Sequence, residues 1–187
     1  MAVLLAATPA GAQTLRELWH SCEGKDSASS DLIISSCTTL IDSGREMQNA
    51  LGQAFNNRCI AYRAKGELDR ALEDCDRAVD LNPGYSNVYN SRGNVYREKG
   101  QYERAIQDYD ELIRLRPFNA IGFYNRGIAY GLSGRNERAI EDFDQAIRLD
   151  PSHAFALHDR GKVYLDIGQL DRAIEDFDRT IQLKPDL

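Results

Sequence analysis

The chain has 187 residues, 28% of them charged, and a net charge of −6, so it lacks the continuous basic surface that a phosphate backbone or an anionic bilayer demands. No apolar run approaches the roughly 20 residues needed to cross a bilayer. Neither nucleic acid as a partner nor a membrane span is therefore expected.

Met1 to Ala12 differs from everything after it. This stretch has no charge, an apolar run from Ala2 to Ala7, and a small-x-small ending at Ala10-Gly11-Ala12. It resembles the end of a secretory signal peptide cut before Gln13, so residues 1–12 are read as a signal remnant and a periplasmic or secreted location follows. Because no Lys or Arg precedes the run, a plain apolar tail on a cytoplasmic protein stays open.

Residues 13–44 read as a helical hairpin. Leu15, Leu18, Trp19 and Cys22 have helical spacing, Glu23 to Ser30 is a loop rich in Gly, Ser and Asp, and Asp31 is placed to cap a second helix. That helix carries Ile33, Ile34, Cys37, Leu40 and Ile41 and stops at Gly44. Set against the next unit, Asp31 falls on Asp69, Cys37 on Cys75 and Ile41 on Val79, so the hairpin is a degenerate copy that caps the array.

Residues 45–187 hold four units, 52–85, 86–119, 120–153 and 154–187, in which one pattern returns every 34 residues. Tyr62, Tyr96, Tyr130 and Tyr164 fall in register, as do Gly66, Gly100, Gly134 and Gly168. Ala71, Ala105, Ala139 and Ala173 follow, and Pro83, Pro117, Pro151 and Pro185 close each unit. A fixed period of this length predicts stacked units that share one core. Gly93 and Tyr96 lie three apart on one helical face, small then large, and Ala105 and Tyr109 repeat the device on the second helix. The expected fold is all-α, a right-handed α-solenoid of helix-turn-helix units.

At these residues the chain resembles the tetratricopeptide repeat family, in the manner of exported bacterial members. The family's Trp position holds Phe55, Tyr89, Phe123 and Leu157. Its Leu position holds Arg58, Arg92, Arg126 and Arg160, and its Phe position Cys75, Tyr109, Phe143 and Phe177, with Cys59 in place of the first Gly.

The cysteines are the clearest departure. Cys22 and Cys37 are equidistant from the Ser29-Ser30 loop, and Cys59 and Cys75 from Glu67, so each pair faces across its own hairpin. Closing a loop of about 15 residues is worth roughly 3 kcal/mol in the chain-entropy model. The pairs Cys22–Cys37 and Cys59–Cys75 are read as disulfides, four buried thiols being the alternative. No C-x-x-C motif suggests thiol exchange, and His20, His153 and His158 share no ligand spacing with the cysteines, so no metal and no cofactor is expected. The arginine column recurs with Asp74, Asp108, Asp142 and Asp176 and with Asp76, Asp110, Asp144 and Asp178, which reads as pairing within and between units rather than as an anion site.

The resemblance implies a binding groove lined by the first helices. Carried over, its residues are Gln53, Asn56, Ile60 and Arg63 with Asn57 beside them, then Asn87, Asn90, Asn94 and Arg97. Ile121, Tyr124, Ile128 and Gly131 follow, with Asn125 beside them, then Phe155, His158, Lys162 and Leu165. Amides at one end and apolar or aromatic groups at the other suit an extended peptide. The subgroup that grips a terminal carboxylate is not matched, because Asn90 stands where Lys is expected and Phe155 and Asp159 fill later positions. On the last helix Ile174, Phe177, Ile181 and Leu183 form an apolar face open to self-association. No acid–base pair, nucleophile triad or phosphate loop is legible, so the expectation is a non-catalytic adaptor for a peptide or protein. A self-assembling structural subunit is the alternative, and an accessory subunit of an enzyme a third reading.

Overall fold

The computed structural model describes residues 14–44 and 46–186, so the expected signal segment lies outside the described residues. Among the described residues the regular elements are helices: α1 (Leu15–Cys22), α2 (Ser30–Asp42), α3 (Gln48–Ala64), α4 (Leu68–Leu81), α5 (Ser86–Glu98), α6 (Tyr102–Leu115), α7 (Ala120–Leu132), α8 (Asn136–Leu149), α9 (Ala154–Asp166) and α10 (Leu170–Leu183). Each packs against the next in sequence, so the chain is a row of antiparallel hairpins. This is an all-α solenoid.

The ends of these helices follow from the residues there. Thr14 opens α1 with a capping box, accepting from the Glu17 amide at 3.2 Å while the Glu17 carboxylate accepts from the Thr14 amide at 2.8 Å. The cap of α2 is Ser29 rather than Asp31: its Oγ accepts from Leu32 N at 3.3 Å, and Asp31 sits already inside the first turn, where its charge favours the helix dipole instead. The turns after α3, α5, α7 and α9 share one geometry. Gly66, Gly100, Gly134 and Gly168 have φ of 76°, 71°, 77° and 79°, a left-handed conformation that side chains resist. The amide after each glycine reaches back to the repeat's tyrosine carbonyl, as in Glu67 N to Tyr62 O at 2.9 Å and Gln101 N to Tyr96 O at 2.8 Å. That pairing ends the first helix and aims the second back along it.

The seams between paired helices come in two kinds. Gly93, Gly127 and Gly161 each lie under an aromatic ring of the second helix, so close that an added Cβ would stand 2.7 Å from Tyr109, 2.9 Å from Phe143 and 2.8 Å from Phe177. At the same level of α3 and α4 stand Cys59 and Cys75, with sulfurs 2.12 Å apart and Cα atoms 5.6 Å apart. Cys22 and Cys37 join α1 to α2 in the same way, at 2.10 Å and 4.9 Å. All four cysteines are buried.

The arginine column forms a ladder of two-pronged clamps. Arg92 donates through Nε and Nη2 to Asp108 at 2.9 and 2.7 Å, and through Nη1 to Asp76 of the preceding hairpin at 2.7 Å. Arg126 does the same to Asp142 and Asp110, and Arg160 to Asp176 and Asp144. Arg58 holds Asp74 at 2.7 and 2.8 Å, but its third nitrogen finds the Thr38 hydroxyl at 2.8 Å, because α2 has Thr38 where later units have an aspartate. Burial holds the carboxyls of Asp108 and Asp142 above the ordinary aspartate range, against the opposing pull of Arg92 and Arg126. These groups belong to the scaffold, and a planar fork satisfied on both sides offers little to an anionic ligand.

On α10 the structure corrects one expectation. Phe177 is half-buried against Gly161 and the His158 ring, whose centroid is 5.7 Å away, so it fills the interior of its own hairpin. The outer face instead exposes Leu170, Ile174, Ile181 and Leu183.

Candidate peptide-binding groove

Helices α3, α5, α7 and α9 touch one another in succession, whereas α4, α6, α8 and α10 do not touch each other among the described residues. In a curved stack, the helices that meet their own kind lie on the inside of the bend. The first helices therefore line the concave surface, and the residues drawn from the family pattern can be placed on it.

Gln53, Ile60, Asn87, Ile121, Phe155, Lys162 and Leu165 are exposed there. The amides behind them are largely engaged with the protein itself. Asn56 is 2% exposed and Asn125 8%, so both form floor rather than contact surface. Asn125 donates to Asn90 Oδ1 at 2.7 Å, joining α7 to α5. Asn94 Oδ1 accepts from the Tyr109 hydroxyl at 2.9 Å and from Arg97 Nη2 at 3.5 Å. Asn57 points toward Cys22 Sγ at 4.0 Å. Asn56 Oδ1 alone among these amide oxygens is buried with no hydrogen-bond partner. Arg63 pairs with Glu98 at 3.5 Å along one rim.

At the second end, Tyr124 is a structural strut. Its hydroxyl donates to Asp159 Oδ2 at 2.9 Å, and its ring packs against His153 at 4.7 Å and Phe143 at 6.0 Å. Burial, and then the Asp159 carboxylate, push its phenol well above the ordinary tyrosine range. Tyr109 is pushed up to about 12, chiefly by burial. Phe155 is 47% exposed, with Lys184 Nζ 4.4 Å above its ring. Ile128 lines the wall over Phe143.

Tyr109, His153 and Asp159 were not singled out from sequence as groove residues. A signal for Tyr109 existed: it stands in register with Phe143 and Phe177, so its extra hydroxyl, once buried, needs an acceptor, and Asn94 replaces the Ile128 and Lys162 of later units. His153 and Asp159 carry no such mark. No cluster of His, Cys, Asp or Glu fit to hold a metal is found among the described residues, and no helix there is long and apolar enough to cross a membrane.

A row of capped hairpins with a continuous inner surface defines an α-solenoid repeat protein. The sequence pattern described as "Tetratricopeptide repeat" matches residues 52–85 and 120–153, a second of that description matches 75–107 and 143–175, and one described as "TPR repeat" matches 93–134. The matches run without a gap from 52 to 175, and the chain belongs to the tetratricopeptide repeat family. Among solved structures it resembles "MamA 41-end from Desulfovibrio magneticus RS-1", at 19% identity and a TM-score of 0.79 over 91% of this chain and 95% of that one. It also resembles "Crystal structure of MamA", at 19% identity and a TM-score of 0.76 over 88% of this chain and 94% of that one. At such identity the likeness shows the fold. Curated protein sequences give no match. Repeats of this family bind proteins or peptides, which supports a role as a protein-interaction scaffold.

Proposed function

We propose that the chain is a non-catalytic adaptor that holds an extended segment of another protein in the groove of α3, α5, α7 and α9. The carrying observation is that this surface exposes amide and apolar side chains together, Ile60 beside Gln53 in the first unit included. Exposed Gln53 and Asn87 offer donors and acceptors for a peptide backbone, and exposed Ile121 and Phe155 offer apolar seats further on. The paired cysteines favour an oxidising compartment, in keeping with export.

Asn87 and Phe155 are the residues to change, because both are exposed, whereas Tyr124 is built into the scaffold. Asn87→Ala and Phe155→Ala together are expected to weaken a partner captured from the native cell by about ten-fold while the helical circular dichroism stays intact. Undiminished capture by the double variant would exclude the groove.

A second reading rests on α10. Its outer face exposes Ile174 and Ile181, at 58% and 59%, and Asp178, in register with the clamped Asp144, has no partner among the described residues. A second copy docking there would make the protein a self-assembling subunit. Ile174→Lys with Ile181→Lys should then lower the mass seen by light scattering. A mass equal to one chain in the unaltered protein rejects this reading.

A further inference from the structure

The last groove-facing turn of each first helix carries Arg63, Arg97 and Leu165 in three units and Gly131 in the remaining one. In the second unit Arg97 fills the space beside Tyr109: its Nη2 lies 3.5 Å from Asn94, its charge opposes the rise of the Tyr109 pKa, and its Nε is buried without a partner. One repeat on, Phe143 stands for Tyr109 and Ile128 for Asn94, but Gly131 supplies no side chain. The space between α7 and α9 is consequently a cleft of about 190 Å³, with Phe143, Ile128 and Val163 as its apolar lining, Asp159 and Asp166 beside them, and the single cation Lys162 at its edge, outnumbered by the two carboxylates.

Building on the groove reading above, we propose that this cleft is a subsite for one cationic side chain of the bound peptide, arginine above all. The apolar lining takes the methylene stem, and the carboxylates meet the guanidinium. Asp166 is exposed and has no partner among the described residues. Asp159 gives one oxygen to Tyr124 and meets the exposed Lys162 at a loose 3.5 Å, which leaves it able to accept from a ligand. The occupant has the chemistry that the chain itself uses at the same place one repeat earlier.

The test uses the full chain and N-acetyl-arginine amide as the probe, followed by two-dimensional NMR. The probe is expected to shift the backbone amides of 128–132 and 159–166, and N-acetyl-leucine amide to shift them far less. Asp166→Asn, on an exposed side chain, should weaken the response by about ten-fold through loss of a charge-assisted hydrogen bond. Gly131→Arg should abolish it by filling the cleft, and an added Cβ there meets nothing closer than Ala139 at 3.8 Å and Val163 at 3.9 Å. Should that variant not fold, Asp166→Asn carries the test. Equal shifts from the two probes would make this an apolar pocket and overturn the assignment; shifts elsewhere, or none, overturn the subsite. The groove reading is judged separately on Asn87 and Phe155, which do not line the cleft.

Discussion

In the hairpins α1–α2 and α3–α4 the seam is a pair of cysteine sulfurs at bonding distance, whereas in α5–α6, α7–α8 and α9–α10 the same level is a glycine beneath an aromatic ring. Cys59 and Cys75 occupy the very register of Gly93 and Tyr109. The two solutions depend on different things. A ring over glycine holds through close fit and fails when a methyl group is added; a sulfur pair holds through covalent chemistry and fails when electrons are supplied. The clamps grade the array further. In α1–α2, Ser21 and Ser36 stand where α3–α4 has Arg58 and Asp74, and Ser36 Oγ is buried with no partner. The first hairpin therefore leans on its sulfur pair, the second has pair and clamp, and the rest have clamp and ring.

The largest effect of any single site that would test this contrast is removal of a clamp. Arg126→Met leaves the buried Asp142 without its counter-charge and is expected to cost about 3–5 kcal/mol at neutral pH, measured by urea denaturation. Burial already raises the Asp142 pKa, and loss of Arg126 raises it further, so the carboxyl protonates as pH falls through that value. The cost should shrink toward about pH 4; a pH-independent cost would mean that Arg126 acts through packing.

Next comes reduction. Dithiothreitol should lower stability by roughly 3 kcal/mol per pair, and protein recovered without reductant should have lost four hydrogens by intact mass. Four free thiols in that protein would reassign the cysteines as packing residues. Cys59→Gly with Cys75→Phe rebuilds the packed seam in the stapled hairpin, and with both proteins held in dithiothreitol, so that Cys22 and Cys37 are reduced in each, it should be more stable than the unaltered protein. If it is not, the two seams are not interchangeable.

The smallest effects separate two glycines four residues apart. Gly127→Ala drives a methyl to 2.9 Å from Phe143 and should cost about 1–3 kcal/mol. Gly131→Ala meets ordinary contacts and should stabilise by about 0.5–1 kcal/mol, as alanine does in a helix interior. Equal effects from both would mean that the ring seam has slack.

The fold was legible because each repeat states it again: the 34-residue period, the turn glycines and the Arg–Asp pairing all recur in register. That the first helices share one inner surface was legible, but the chemistry of that surface was not. Asn90 and Asn125 read as free amides, yet the stack brings them together across 35 residues, a contact that depends on how repeats superpose. Phe177 read as surface because it lies between Ile174 and Ile181 along the helix, and the decisive fact, its seat on Gly161, belongs to another helix. Ser29 and Asp31 are both competent caps two residues apart, and spacing could not choose. The cleft at Gly131 is an absence, visible in sequence as one more glycine until its neighbours Arg63, Arg97 and Leu165 show what normally stands there.

Both sulfur pairs lie within hairpins, and neither ties one hairpin to the next. Under tension, the array would behave as a string of separable beads in which two hold back part of their thread. Pulled from its ends in an optical trap, the oxidised chain should unravel short of its full contour length by about 50 Å for each pair, from enclosed spans of 15 and 16 residues at roughly 3.3–3.6 Å per residue. Reductant should return that length, so the end of the array nearest the amino terminus is set up to lose its folded shape under load while limiting how far it can extend.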